Sequence, residues 1–199
     1  MSQETRETVL SVIGLAVFLV LAYFIGATVS RFKNARFRKA WAPLMPMLEG
    51  AIIADDGGGA SASWLTGTYG GHRVQARMNP ERNSGETGPR FNDFSVALAD
   101  VPGEQDWTFE FRASVAPGKS PWLVSAGSTA VAQRLERAGI EARLPGLGYP
   151  TVTYRTGTRT IEYRVDITPS LAPSPDQFKR TLEFLAWLHG VNQQANTGT

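Results

Sequence analysis

Three hydrophobic rhythms divide the chain. Residues 9–29 form an unbroken apolar run whose only polar side chains are Ser11, Tyr23 and Thr28, with no charge among them. From residue 62 a period of two takes over. Val74, Ala76 and Met78 alternate with Arg73, Gln75 and Arg77, and Phe94, Val96 and Leu98 with Asp93, Ser95 and Ala97. Trp107, Phe109 and Phe111 alternate with Thr108, Glu110 and Arg112, and Ile161, Tyr163 and Val165 with Glu162, Arg164 and Asp166. A helical spacing closes the chain, where Phe178, Leu182, Leu185 and Leu188 make an apolar stripe flanked by Phe184, Trp187 and Val191. Alternation of this kind predicts strands wet on one face, in an antiparallel sheet covered on one side.

Turn and cap chemistry supplies the connections. Gly70-Gly71 separates two strand patterns, and a two-residue Gly-Gly link suits a hairpin whose central residues both need positive φ. A phosphate-cradling loop would lead into a helix, and no helical pattern follows Gly71. Gly67, inside a strand, predicts a bulge or a close packing contact. Residues 100–105 and 155–159 read as further hairpin turns. Ser128 predicts an N-cap and Gly139 a C-cap around a helix over 128–139. Ser174, Pro175, Asp176 and Gln177 form a capping box that starts the last helix.

The domain order is therefore ββββαββα. It predicts an α+β fold, a two-layer sandwich of about six antiparallel strands with two helices on one face, preceded by a transmembrane helix. The alternative is a pleckstrin-homology-like bent sheet capped by the C-terminal helix. The apolar run, roughly 31 Å long as a helix, is the expected span. The predicted organisation is a short extracytoplasmic N-terminus (1–7), the transmembrane helix (8–30), a basic juxtamembrane segment with a Gly-rich linker (31–60), a cytoplasmic domain (61–192) and a flexible tail (193–199).

Charge sets the expected orientation. Arg31, Lys33, Arg36, Arg38 and Lys39 follow the span, with no acidic residue before Glu49. The positive-inside rule then places the domain in the cytoplasm of a bacterial-type inner membrane, N-terminus out. With Phe32, Phe37 and Trp41 interleaved, the same segment could rest on a lipid surface. The formal net charge of +2 is local to it. Setting aside the six Lys/Arg and two Asp/Glu of residues 1–39 leaves 14 and 16 in the remainder. A domain that is itself slightly acidic argues against nucleic acid as a partner.

Candidate chemistry is sparse. The chain has no cysteine, which excludes disulfides and thiolate catalysis. Its two histidines, His72 and His189, lie far apart without metal-type spacing and read as packed or solvated side chains. No serine-nucleophile motif is present. The expectation is no enzyme, no cofactor and no metal. Two features point to binding instead. The long polar loop 79–90, with Arg82, Asn83 and Glu86, suits a functional loop. Trp122, after a Pro-Gly stretch, is the aromatic residue expected to face a partner. The function expected is binding or scaffolding of other proteins at the membrane, as with an accessory subunit of a membrane complex. A membrane-tethered lipid- or small-ligand-binding module is the alternative, and an enzyme the second.

Overall fold

A computed structural model describes residues 14–25, 38–54, 64–80, 91–112, 120–167 and 172–197. Gly70 and Gly71, with φ of 55° and 82°, turn β2 (Trp64–Tyr69) into β3 (His72–Pro80). Tyr69 faces His72 across this two-residue hairpin, as the Gly-Gly pair predicts. Gly67 is the close packing contact. A Cβ there would lie 2.7 Å from Leu48 Cβ and 3.1 Å from the Glu49 carbonyl. That carbonyl belongs to β1 (Glu49–Ala54), whose pairing with β2 shifts register between Glu49 and Ile52, where Gly50 takes φ of 61°.

The sheet continues through β4 (Phe91–Leu98), β5 (Trp107–Phe111), β6 (Trp122–Ala126), β7 (Thr151–Arg155) and β8 (Thr160–Asp166). Between β6 and β7 lies α2 (Thr129–Arg137), and α3 (Pro175–Thr197) follows β8. The eight strands form one open antiparallel sheet in the order β1-β2-β3-β4-β8-β7-β5-β6. Both helix starts follow their caps. Ser128 Oγ accepts from the Val131 amide at 3.3 Å. The Ser174 amide donates to Gln177 Oε1 at 2.8 Å while the Gln177 amide donates to Ser174 Oγ at 3.3 Å.

Several expectations change. The sheet has eight strands rather than six, because β1 and β6 were not foreseen. Residues 100–105 do not close a hairpin. The β7–β8 hairpin inserts between β4 and β5, so β4 pairs with β8, and β5 with β7 and β6. The connection 99–106 instead clasps the β7–β8 turn. The Val101 amide donates to the Arg159 carbonyl at 2.8 Å. The Asp106 carboxylate accepts from both the amide and the hydroxyl of Thr156 at 2.7 Å. An open sheet in this order also differs from the pleckstrin-homology-like alternative.

The transmembrane reading of residues 8–30 is overturned. Among the described residues no helix is long and apolar enough to cross a membrane. The described helix in that region, α1, covers residues 14–25. The rest of the segment lies outside the described residues. Helix α3 is long enough, but it carries Asp176, Lys179, Arg180 and Glu183 on its exposed face.

The apolar face of the sheet packs on α3, with Phe94 edge-on to Phe178 and Tyr163 edge-on to Phe184. Helix α2 lies against β6 and touches α3. The segment expected to be linker also enters the core. Trp41 is 0% exposed and Leu44 and Leu48 are buried beside it. Pro46 helps set the short 3-10 turn Met45–Met47, which brings the chain from Trp41 round to β1. The Tyr163 hydroxyl is buried without a hydrogen-bond partner among the described residues, and burial pushes its pKa up.

Two outcomes follow for stability. Trp41→Ala should cost about 3–5 kcal/mol in urea denaturation, the usual range for deleting a core aromatic side chain. A change below about 1 kcal/mol would show that Trp41 is dispensable to the core. Tyr163→Phe removes a desolvated hydroxyl that gains no bond, so stability should hold or rise by up to about 1 kcal/mol. A clear loss would mean the hydroxyl is bonded in solution.

Candidate functional site

An aromatic patch stands at the β5–β6 end of the sheet. The register pairs Phe111 with Trp122 and Phe109 with Val124. This sets the Trp122 ring over Phe109, with centroids 4.9 Å apart and planes within 5°, and edge-on to Phe111 at 5.2 Å. The Trp122 amide donates to Ser120 Oγ at 3.1 Å, and the Arg112 amide to the Pro121 carbonyl at 2.7 Å, which fixes the entry to β6. A fourth ring comes from the connection between α2 and β7. Gly146 and Gly148, with φ of 77° and 97°, bend this segment in a way a Cβ would strain. It delivers Tyr149 onto Phe111, with centroids 4.0 Å apart and planes 21° apart. Tyr149 remains 69% exposed. Trp122 and Phe111 are half-buried. Each ring contact contributes about 0.5–1.5 kcal/mol beyond burial, so the patch is ordered before anything touches it.

This placement revises the reading of Trp122, which is the half-buried centre of the patch and not a projecting anchor. Tyr149 is the exposed member. It was missed because "LPGLGYP" reads as plain loop. Of the other predicted positions, Arg82, Asn83 and Glu86 lie outside the described residues, as do Arg31, Lys33 and Arg36. Arg38 and Lys39 are exposed, whereas Trp41 is in the core and cannot also lie on a lipid surface. Gly70 and Gly71 hold the expected turn.

The fold joins the two histidines. His72 opens β3 and His189 sits in α3, and their rings meet with centroids 4.2 Å apart, tilted by 53°. Next to His72, Arg73 donates twice to the Asp100 carboxylate, at 2.9 and 3.2 Å. Those bonds hold the exposed Asp100 carboxyl below the usual carboxylate range. One helical turn beyond His189, Asn192 accepts from Trp107 Nε1 at 3.1 Å and donates to the Pro102 carbonyl. Tyr154 Oη donates to the Val101 carbonyl at 3.1 Å. This corner is bonded within itself. Among the described residues, no three His, Cys, Asp or Glu side chains gather as a metal would require.

Two open concavities complete the surface. One of about 440 Å³ lies over Thr66, Thr68, Arg73, Gln75 and Ala97 on the sheet. The other, of about 240 Å³, lies between α3 and residues Arg143, Leu144 and Pro145. No protein-family model, curated protein or solved structure matches the chain.

The histidine corner carries a pH dependence. Burial first, and the charge of a protonated His72 second, push the His189 pKa below its ordinary 6.5. The folded protein therefore takes up this proton less readily than the unfolded chain. Stability from the neutral ring is complete above pH 6.5 and is lost as pH falls below it towards the depressed value. The urea midpoint should thus drop between about pH 7.5 and 5.5, and His189→Gln should shrink that drop. An unchanged pH slope in the variant would refute the assignment.

Proposed function

We propose that this α+β domain is a protein-binding module that docks partners on the aromatic patch Phe111–Trp122–Tyr149. The observation that carries the reading is Tyr149, 69% exposed yet stacked on Phe111 at 4.0 Å. A ring held in place by its neighbours loses little rotamer freedom when a partner covers it, while its remaining face still gains from leaving water. Aromatic side chains in such settings carry much of the energy at protein interfaces. The chemistry of the other regions supports binding over turnover, since the histidine corner spends its polar groups on its own backbone and helix. Helix α1 adds a second apolar surface. Its Leu15, Phe18, Phe24 and Ile25 are each at least 60% exposed, and a helix apolar on every side is ordinarily covered.

The test is affinity purification of the full-length protein after mild cross-linking, compared with Tyr149→Ser. The replaced side chain is exposed, so the fold should survive, as circular dichroism and the urea midpoint would report. Recovery of specific partners should fall about tenfold or more, in keeping with the loss of an interface anchor. Recovery of the same partners in the same amounts by a folded Tyr149→Ser protein would remove the patch from the interface.

A further inference from the structure

The α2–β7 connection builds a second feature besides Tyr149. Six residues before it, Arg143 lays its guanidinium over the Trp187 ring, 4.7 Å from the centroid. Together with Leu144, Pro145, Arg180 and Phe184, these side chains wall the 240 Å³ concavity. Phe184 backs Trp187 at 6.0 Å, and Pro145 is buried, so the apolar wall is fixed. Neither Arg143 nor Arg180 makes an ion pair among the described residues. The one carboxylate in the wall, Glu183, lies 3.9 Å from Lys179 on the same helix. Two guanidinium groups without carboxylate partners therefore border a bowl with an indole in its side. Guanidinium stacked on an aromatic face keeps its edge donors free, and those donors match the two oxygens of a carboxylate.

We propose that the bowl receives an Asp or Glu side chain of an extended acidic peptide segment of the partner. The inference rests on the protein-binding reading above and names the chemistry of the bound segment. The carboxylate sits between Arg143 and Arg180, and an apolar side chain of the same segment covers Tyr149 and Trp122. Geometry permits both contacts at once. The six Cα steps from Arg143 to Tyr149 span at most about 20 Å, and the bends at Gly146 and Gly148 shorten that distance. An extended peptide of about seven residues covers the same length. Charge complementarity chooses the occupant, because the bowl offers donors and an apolar wall but only one acceptor carboxylate, already drawn towards Lys179.

The experiment is selection of random 12-residue displayed peptides on the full-length protein. Peptides recovered on the wild type should be enriched in Asp or Glu three to seven positions from an aromatic or large aliphatic residue. Synthetic copies should bind more weakly at high salt. In the Arg143→Glu/Arg180→Glu protein the acidic enrichment should vanish and affinity for those peptides fall about tenfold or more, with the apolar preference retained. Glu183→Gln should tighten the same peptides, a gain that a merely structural role for the arginines would not give. Tyr149→Ser should do the converse, losing the apolar preference and keeping the acidic one. Recovery of peptides without acidic enrichment, or identical selection by the double variant, overturns this inference and leaves the patch reading intact. Arginine-dependent binding of phosphatidylserine vesicles without acidic peptide enrichment also overturns it, by assigning the bowl to lipid headgroups. No enrichment over a blank surface overturns both readings.

Discussion

One buried side chain, Asn192, ties α3 to the part of the chain that crosses from β4 to β5. Its amide reaches back 85 to 90 residues, to the crossing loop at Pro102 and to Trp107 at the head of β5. At 5% exposure it has no water to fall back on, so each partner lost leaves a desolvated polar group costing about 1–3 kcal/mol. Gly103 is part of the same joint. A Cβ there would lie 2.5 Å from both the Asn192 amide nitrogen and the Tyr154 ring. The crossing loop can lie this close only without a side chain. It then covers the turn of the β7–β8 hairpin and keeps that hairpin between β4 and β5.

The insertion decides where the surface features fall. Because β7 and β8 occupy the middle of the sheet, β5 and β6 are displaced to its end. The chain must return from α2 to β7 past that end. After a 3-10 turn at Glu141–Arg143 the return segment is too rich in Gly and Pro to stay helical, and it passes over the apolar face of β5 closely enough to set Tyr149 on Phe111. The same segment, six residues earlier, passes α3 and sets Arg143 on Trp187. The patch and the bowl are thus two consequences of one connection. A sheet ordered as successive hairpins would need no such return.

Local chemistry was legible in the sequence, and long-range pairing was not. Both caps, the Gly70-Gly71 hairpin, the close approach at Gly67 and six strands follow from neighbours a few residues apart. β1 was hidden because Gly50 breaks its alternation and a Gly-rich run follows it. β6, "WLVSA", carries no period of two. Trp41 looked like an interfacial residue because it follows basic side chains, yet the turn at Met45–Met47 delivers it to the core. Residues 100–105 have ordinary hairpin composition; their actual role depends on Arg159, Thr156 and Asn192, which no local pattern can announce. The apolar run at 9–29 met the length criterion for a span as a string of residues. Among the described residues, no helix is both long and apolar enough to cross a membrane. For the site, Trp122 was legible as an aromatic residue of interest. Its stacking on Phe109, and the whole of the Tyr149, Arg143 and Trp187 arrangement, arise from tertiary contact.

The contrast between corner and patch supports placing the proposed binding at the second. Both are clusters brought together from distant sequence. In the corner, many polar groups are already bonded: Asp100 is held by Arg73, the Val101 and Pro102 carbonyls by Tyr154 and Asn192, and Asp106 nearby by Thr156. Any ligand there would have to replace bonds already made, so its net gain would be small. At the patch and the bowl the balance is the reverse. The Tyr149 ring is exposed, Trp187 is half-buried, and the guanidiniums of Arg143 and Arg180 meet no carboxylate partner among the described residues. Folding has fixed these groups in position, so the entropic cost of ordering them is already met, while much of what they could gain by contact is still available. A surface ordered by folding but left incomplete in its contacts is one on which a partner can bind without first disrupting the protein.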